Sequence, residues 1–247
     1  LVCWNPMAGR RLIAVAFALD AEFAPWRARR AFAPADAAGG SGFEATIGAL
    51  TIRAGIVGIG ARRLARITPW LLDSGAEAAI VAGLAGGLSA RHRTADVLVA
   101  GRVCHDTEQC AVDARLLALA KASGATPVDR FVTVGRLAST RAAKQTLAAA
   151  GDSVDIESFH VLEAAARRGI PVVAVRAIGD AVSDNFPIDF EPAITADGSL
   201  SLAAVAAQAA LRPWAWPRLI RFVRDQRRAL DALSVVLDSL AVSLAGV

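Results

Sequence analysis

The sequence predicts an α/β protein, a single-domain three-layer α/β/α structure with a mixed, mostly parallel central sheet. Short apolar runs alternate along the chain with segments of helical spacing, which is typical of this fold class. The run PVVAVRAIG at 171–179 is almost continuously apolar, as strands buried on both faces of a parallel sheet are. No linker and no repeat divides the chain. We therefore expect one domain over 7–247, with a core at 12–184 and a C-terminal helical extension at 199–245.

Composition limits the classes of function. The 247 residues include 27 Lys and Arg against 23 Asp and Glu, without a block of like charge or a basic segment interleaved with aromatics. Nucleic acid is therefore not expected as a partner. The apolar runs are too short for a spanning helix, and no signal-peptide layout is present. Three Cys form no disulfide framework, which favours the reducing cytoplasm. Met7 is a plausible start, which leaves open whether residues 1–6 are native.

The N-terminal half alternates between strands and helices. A helix over 18–30 carries Asp20 and Glu22 in its first turn. Acids there commonly partner the helix dipole, which suffices for Asp20, whereas Glu22 also follows the carboxyl end of a strand. Alternating apolar positions predict a hairpin after the flexible Gly-rich turn at 39–42. The predicted strands are 12–17, 43–48, 50–56, 79–84 and 97–103, with a second helix over 61–73.

Residues 104–110, CHDTEQC, combine side chains of the kinds that bind metals. They lack the second paired motif that a structural zinc site needs. A surface loop without a metal is therefore expected here.

The C-terminal half contains helices at 114–123 and 140–149 around a strand at 131–135, and it closes with helices at 202–211 and 217–244. The last helix is expected to pack on the body or on another subunit through an apolar stripe. Its arginines favour a solvated face, with contact to anionic lipid beside Trp214 and Trp216 as the alternative. The stripe is Leu219, Val223, Leu230, Leu233, Leu237 and Leu240, and the arginines are Arg218, Arg221, Arg224 and Arg228.

The stretch 154–180 predicts a βαβ unit with acids at the ends of both strands. Asp155 and Glu157 flank Ile156, and in an extended segment they would point to opposite faces, so that only one would face a given pocket. A helix over 158–168 follows. Asp180 comes just past the carboxyl end of the second strand, where open α/β sheets bind their ligands.

Three separated motifs together resemble the nucleoside phosphorylase/nucleosidase superfamily: ALDAE (18–22), GIG with AGLAGGL (58–60 and 82–88), and VDIES with VRAIGD (154–158 and 175–180). The pattern is most similar to methylthioadenosine/S-adenosylhomocysteine nucleosidases. Segments 137–147 and 196–205 and the terminal helices are similar to hopanoid-associated phosphorylases, which are implicated in releasing adenine from adenosylhopane. The resemblance implies a phosphorylase/hydrolase-like fold, an adenosyl nucleoside as small-molecule substrate, a homodimer and no cofactor. The cysteine usage favours a cytoplasmic location, and the C-terminal Trp/Arg region adds peripheral contact to the inner membrane as a further expectation.

The resemblance also implies roles for individual residues. Asp180 matches the acid that gives a proton to N7 of the base, and it must be protonated when substrate is bound. Glu22 matches the acid that activates the attacking water, and Glu157 matches the acid that binds the ribose hydroxyls. The other residues implied to bind substrate are Asp155, Ile156, Ala85, Gly86 and Arg176.

Two departures from the family pattern stand beside these matches. Gly179 replaces the usual Ser that helps to hold the catalytic acid, and Ala138 lies where an aromatic stacks on adenine. Both changes remove contacts, so a non-catalytic nucleoside-binding protein is a second hypothesis.

The motifs also bear on whether the bond is cleaved by water or by phosphate. Phosphorylases of the superfamily bind phosphate with a Gly-Asp first loop and an Arg and a Ser near the glycine-rich strand. Here these positions are Leu19-Asp20, Val81 and Leu84, and a desolvated anion without cationic partners is costly. Arg62 or Arg63 would be partial substitutes. Hydrolysis is therefore favoured, and phosphorolysis with phosphate as co-substrate is the alternative.

Overall fold

The computed structural model describes residues 11–35 and 42–246. Residues 1–6 and positions 39–41 of the Gly-rich turn lie outside these ranges. The strands are β1 (Arg11–Phe17), β2 (Ala33–Ala35), β3 (Gly42–Ile47), β4 (Leu50–Ile56), β5 (Ala78–Gly87), β6 (Val97–His105), β7 (Glu108–Ala111), β8 (Thr126–Thr133), β9 (Ser153–Asp155) and β10 (Val172–Asp180). The helices are α1 (Asp20–Arg29), α2 (Leu64–Leu71), α3 (Ala114–Ala122), α4 (Arg141–Leu147), α5 (Ser158–Ala166), α6 (Leu202–Ala210) and α7 (Trp216–Ala245), with short 3₁₀ turns at Ile59–Ala61, Glu191–Ala193 and Pro213–Ala215.

The strands form one mixed sheet in the order β10-β6-β8-β9-β5-β1-β4-β3-β2, with β7 paired to β6. β10 also pairs with β5, so the strands β5, β10, β6, β8 and β9 close into a ring. The ladders β1–β4, β1–β5, β5–β10, β6–β8 and β8–β9 are parallel, and the others are antiparallel. The predicted α/β fold with a mixed central sheet is confirmed.

Helices cover both faces of the sheet because alternate residues of the central strands are buried on opposite sides. On β1, Val15 belongs to the core beneath α1 and α7, whereas Ala16 belongs to the core beneath α2 and α5. All nine residues of β10 are buried, as its apolar run predicts. β10 therefore lies at the centre of the molecule, and its carboxyl end can position a side chain rigidly.

Two predicted segments differ from the structure for local reasons. The helix expected over 61–73 is shorter, since Gly60 and Ala61 have positive φ values of 67° and 55° and form a 3₁₀ turn ahead of α2. The segment 104–110 is a hairpin rather than a surface loop, because β7 pairs antiparallel with the end of β6. Its two cysteines are free, and no group of three or more potential metal ligands occurs in the part of the chain that the structure describes.

The predicted βαβ unit is wrong in strand direction. β9 runs antiparallel to β5, whereas β10 runs parallel to β5, so β9 and β10 oppose each other. This arrangement follows from the ring of strands, because β9 completes the ring by pairing antiparallel with the last residues of β5. Asp180 is the final residue of β10 rather than the residue after it.

The apolar stripe of α7 is confirmed only in its C-terminal half. Leu230, Leu233, Leu237 and Leu240 are buried, but Val223 is 58% exposed. The N-terminal half of α7 instead turns Phe222 and Gln226 inward, four residues apart on one face. Of the helices within 11–35 and 42–246, none is long and apolar enough to cross a bilayer.

Candidate active site

The residues predicted to form a site come together at one cavity beside the carboxyl end of β10. Seven of the eight line this cavity, and the eighth, Arg176, is completely buried behind it. The strands of the ring supply most of these positions, so the site is built on rigid elements. The seven lining residues are Glu22, Ala85, Gly86, Asp155, Ile156, Glu157 and Asp180.

The carboxylate of Glu22 caps the start of α1, and the same carboxylate faces the cavity. Its Oε2 accepts hydrogen bonds from the backbone N–H of Ala18 at 3.1 Å and Leu19 at 3.2 Å. Its Oε1 accepts one from Leu84 of β5 at 2.8 Å. Burial raises the pKa of Glu22, while Arg176 and the three N–H groups oppose the rise. The helix-terminus interpretation and the cavity interpretation of Glu22 therefore both hold.

Arg176 gathers the acids at one end of the cavity. Its Nε lies 3.1 Å from Oδ2 of Asp155 and donates to Oγ of Ser158 at 3.0 Å. Its Nη2 lies 3.3 Å from Oε2 of Glu157. Because the guanidinium is 0% exposed, these acids hold a buried charge that would otherwise be very costly. Arg176 thus fixes the positions of carboxylates that line the cavity without lining it itself.

Asp155 and Glu157 do not diverge as an extended segment would require. β9 ends at Asp155, and its Oδ1 accepts the N–H of Glu157 at 3.3 Å and of Ser158 at 3.1 Å. These bonds turn the chain, so both carboxylates reach Arg176 and both line the cavity. Burial raises the pKa of Glu157, with Asp155 and Glu22 adding to the rise and Arg176 opposing it.

Gly83 is the point where β5 passes between Arg176 and Glu22. Its φ is +147°, and a Cβ there would overlap Nη1 of Arg176 and lie 2.9 Å from both carboxylate oxygens of Glu22. We expect Gly83→Ala to lower the free energy of unfolding by about 2–5 kcal/mol, from backbone strain and overpacking. Gly135→Ala is the matched control, because no atom lies within 4 Å of its Cβ position. Equal urea midpoints for the two variants would contradict this account.

Asp180 occupies the other end of the cavity and is paired with a buried lysine. Lys144 of α4 is 0% exposed, and its ammonium forms an ion pair with Oδ2 of Asp180. Burial raises the pKa of Asp180 to about 6, although Lys144 opposes the rise. The carboxyl can therefore carry or release a proton near neutral pH, as a general acid requires.

Gln226 of α7 fills the space beside Asp180 that a residue larger than Gly179 would take. A Cβ on Gly179 would lie 2.5 Å from Oε1 of Gln226, whose Nε2 donates to the Gly179 carbonyl at 2.9 Å. Phe186 is an aromatic side chain that lines the same cavity as Ala138. At the two departures from the family pattern, Gly179 and Ala138, the cavity thus contains side chains from other segments, namely Gln226 and Phe186.

The cavity offers no available cation for an anionic ligand. Among its lining residues, all of which lie in the described ranges, none is a lysine or an arginine. The substitutes named from the sequence are engaged elsewhere: Arg62 donates to the Thr195 carbonyl at 2.9 Å, and Arg63 pairs with Asp197. No lysine or arginine of the described ranges thus faces the cavity directly.

Comparison with protein families identifies the chain's relatives. The family model described as the phosphorylase superfamily matches residues 12–211. The chain belongs to the phosphorylase superfamily. As a member of this superfamily it is an enzyme, as the motifs predicted. A comparison with curated proteins finds no significant match.

Solved structures of similar fold include several nucleosidases. A Helicobacter pylori 5'-methylthioadenosine/S-adenosylhomocysteine nucleosidase superposes with a TM-score of 0.70 at 16% identity, covering 94% of this chain and 98% of that one. A futalosine hydrolase mutant from the same organism gives 0.70 at 15% identity, covering 93% and 98%. The Neisseria meningitidis nucleosidase in complex with methylthio-immucillin-A gives 0.70 at 16% identity, covering 94% and 99%. These likenesses confirm the fold that the superfamily motifs implied.

Three residues of the site escaped the sequence analysis. Phe186 and Gln226 lie outside the motifs, and Lys144 lies in the segment 137–147 without a role assigned to it. All three reach Asp180 or the cavity only through the tertiary fold. One signal was available for Lys144, since it and Lys121 are the only lysines in the sequence. Phe186 lies in the loop after β10 and Gln226 lies on α7, where nothing in their neighbours marks them.

Proposed function

We propose that this enzyme hydrolyses the N-glycosidic bond of an adenosyl compound and releases adenine. The observation that carries the proposal is the division of acids within one cavity. Asp180 lies beside Lys144 at one end, and Glu22 and Glu157 lie around Arg176 at the other. One end can give a proton to a base while the other stabilises positive charge on a sugar.

The bond breaks as the base takes a proton. Asp180 in its protonated form donates to N7, and the C1'–N9 electron pair passes to the departing adenine. Positive charge then develops on the ribosyl ring, as in other glycoside cleavages that pass through an oxocarbenium-like state. Glu157 binds the ribose hydroxyls, and Ala85 and Gly86 bring the backbone of β5 close to the base.

Water completes the reaction at the other end. Glu22 takes one proton from the water as the water oxygen bonds to C1'. The proton that Asp180 gives to the base is therefore balanced by the proton that Glu22 receives. The backbone N–H groups that bind both oxygens of Glu22 hold the carboxylate in place for this step. The absence of a lining cation noted above disfavours phosphate as the nucleophile.

Adenosylhopane is the substrate we propose. Support comes from the similarity of 137–147, 196–205 and the terminal helices to hopanoid-associated phosphorylases. Methylthioadenosine and S-adenosylhomocysteine are the alternative substrates, since the nucleosidases with similar folds are named for them. Gln226 and Phe186, which accompany Gly179 and Ala138, argue against the hypothesis of a non-catalytic binding protein.

The test is adenine release from these three compounds, with and without millimolar phosphate. We expect release from adenosylhopane at a rate that phosphate does not change. Glu22→Gln should lower kcat by about 10²-fold or more, because the base that deprotonates water is lost. Glu77→Gln is the control, because Glu77 is an exposed acid that pairs with Arg11 at the start of β1. Release that requires phosphate would replace hydrolysis with phosphorolysis, and no release from any compound would remove the proposal.

Assembly and location belong to the same proposal: a cytoplasmic homodimer in peripheral contact with the inner membrane. Support for the contact lies in a surface patch formed by α6, the turn 213–215 and the start of α7. Large apolar side chains are exposed there beside arginines. Such a patch can insert apolar groups between anionic head groups. Its members are Leu202, Leu211, Trp214, Trp216, Ile220 and Val223, with Arg212 and Arg224.

The patch predicts salt-sensitive binding to vesicles that contain anionic lipid. Trp214→Ser combined with Ile220→Ser should weaken sedimentation with such vesicles by about tenfold, since both side chains are mostly exposed and would be buried in the interface. Val242→Ser, an equally conservative change at an exposed site on the far half of α7, should not. The membrane contact would be contradicted if the wild type, the double variant and Val242→Ser bound the vesicles equally. It would also be contradicted if the wild type did not bind them at low salt. Light scattering of the same samples reports the dimer.

A further inference from the structure

The ammonium of Lys144 is held in a cage of oxygen atoms at the end of β10. Its Nζ donates to the carbonyl of Ala181 at 2.7 Å and to the carbonyl of Asp184 at 3.0 Å, and it pairs with the Asp180 carboxylate. Two of these oxygens accept hydrogen bonds from the ammonium, and the carboxylate supplies the opposite charge. The cage therefore holds the buried cation next to the Asp180 carboxylate.

The cage is built by the loop that follows the candidate acid. Ala181 donates its N–H to Oδ2 of Asp184 at 2.9 Å, which bends the loop around the lysine. The same loop is tied to the start of α4, because Phe186 donates to the Ser139 carbonyl at 2.8 Å. α4 and the loop thus bring Lys144 to Asp180 as one unit, although the residues are far apart in sequence.

A buried lysine at this place needs a reason beyond stability. Burying an ion pair is often no better for stability than apolar packing, because desolvation offsets the attraction. Lys121, the other lysine of the chain, is exposed in α3. The buried one contacts the carboxyl that faces the cavity. This placement indicates that its charge serves that carboxyl.

The charged groups around Asp180 are few. Asp184 of the loop adds a like charge, and across a neighbouring hollow α7 presents Arg218, Arg221 and Asp225. Glu22 and Glu157 line the same cavity. Of all these groups, the ammonium of Lys144 is the one in contact with the Asp180 carboxylate.

We infer that Lys144 is a positioning residue for the acid: it holds the Asp180 carboxylate in place and stabilises the negative charge left on it when its proton passes to the leaving base. The inference rests on the proposed function for the identity of the proton acceptor. The O–H bond of Asp180 breaks, its electron pair stays on the carboxylate beside the ammonium, and the proton bonds to the base. Without the ammonium, a carboxyl in this buried site would hold its proton too tightly to give it up.

The test follows the titration of Asp180 directly, by NMR of protein carrying ¹³C-labelled aspartate carboxyls. The Asp180 signal is the one absent from Asp180→Asn. In the wild type its midpoint is expected near pH 6. Lys144→Met removes an opposite charge in contact and should raise the midpoint by more than about one pH unit. Lys121→Met is the matched control and should leave it unchanged. An unchanged midpoint in Lys144→Met would overturn the inference.

Activity adds a second readout. In Lys144→Met, the pH at which kcat/KM begins to fall on the alkaline side should rise together with the NMR midpoint. We also expect kcat to fall by about tenfold or more. A merely structural lysine would lower the rate without changing the pH at which kcat/KM begins to fall. The NMR titration needs no turnover, so failure of the wild type to release adenine would count against the proposed function and leave the inference standing.

A third variant covers the case in which Lys144→Met does not fold. Asp184→Asn keeps the side-chain oxygen that Ala181 binds and keeps the backbone carbonyl that Lys144 binds. It removes a like charge beside Asp180, so the midpoint should move downward, opposite in sign to Lys144→Met. A midpoint that does not move in Asp184→Asn would show that the charges of the cage do not govern the acid.

Discussion

Asp180→Asn is expected to lower kcat for adenine release by about 10²–10⁴-fold, the usual contribution of a general acid. Asn cannot give a proton to N7, but it keeps an oxygen for Lys144 and nearly the same shape. Binding of the nucleoside, measured by calorimetry, should therefore change little. Wild-type kcat/KM should also fall as the pH rises above about 6, because the Asp180 carboxyl of the free enzyme is then ionised. The variant should lack this alkaline limb.

The matched control for this prediction is Asp129→Asn, an exposed carboxylate at the surface of β8 that pairs with Arg102. It should retain wild-type kcat and the wild-type pH profile. Circular dichroism of Asp180→Asn should show native helix content, since a loss of folding would also lower the rate. If a folded Asp180→Asn turns over like the wild type, Asp180 is not the acid.

Arg176→Met is expected to cause the largest loss of stability, about 3–5 kcal/mol, which is typical when one partner of a buried ion pair is removed. The change leaves Asp155 and Glu157 buried without the cation that they contact. Arg176 lowers the pKa of Glu157, so its removal raises the folded-state value further. Protonation of Glu157 then favours the folded state of the variant, so the loss of unfolding free energy should become smaller as the pH falls.

Urea denaturation at pH 8 and pH 5 measures this effect. Arg167→Met is the control, because Arg167 is 73% exposed and forms only an i,i+4 pair with Glu163. Its loss should cost about 0.5 kcal/mol or less at either pH. The account of Arg176 fails if Arg176→Met has the same free energy of unfolding as Arg167→Met at pH 8. It also fails if the loss of unfolding free energy in Arg176→Met is larger at pH 5 than at pH 8.

The superfamily motifs were enough to find most of the site, whereas local pattern alone predicted that only one of Asp155 and Glu157 would face it. The acids lie in short motifs at strand ends, and Glu22, Asp155, Glu157 and Asp180 are all at the cavity because the sheet brings those ends together. The apolar run of β10 likewise predicted its complete burial. These features depend on residues that are close in sequence, which is why they could be read from the sequence.

What could not be predicted depends on long-range closure. The pairing of β10 with both β5 and β6 closes the ring and reverses β9, and no local pattern encodes that register. The contact between Lys144 and Asp180 requires α4 to lie against the loop after β10. Val223 was misplaced because a helical period alone does not reveal where a helix leaves the body of the protein.

The contact between Gln226 and Gly179 has a consequence for how the enzyme becomes active during synthesis. A nascent chain that has emerged as far as residue 211 already contains the four acids of the cavity and the whole segment that matches the superfamily. It still lacks the side chain that fills the space beside the acid, since Gln226 comes later, on α7. Translation itself would therefore delay the first turnover until the last helix has docked, and fragments ending before α7 should bind nucleosides poorly however well their sheet forms.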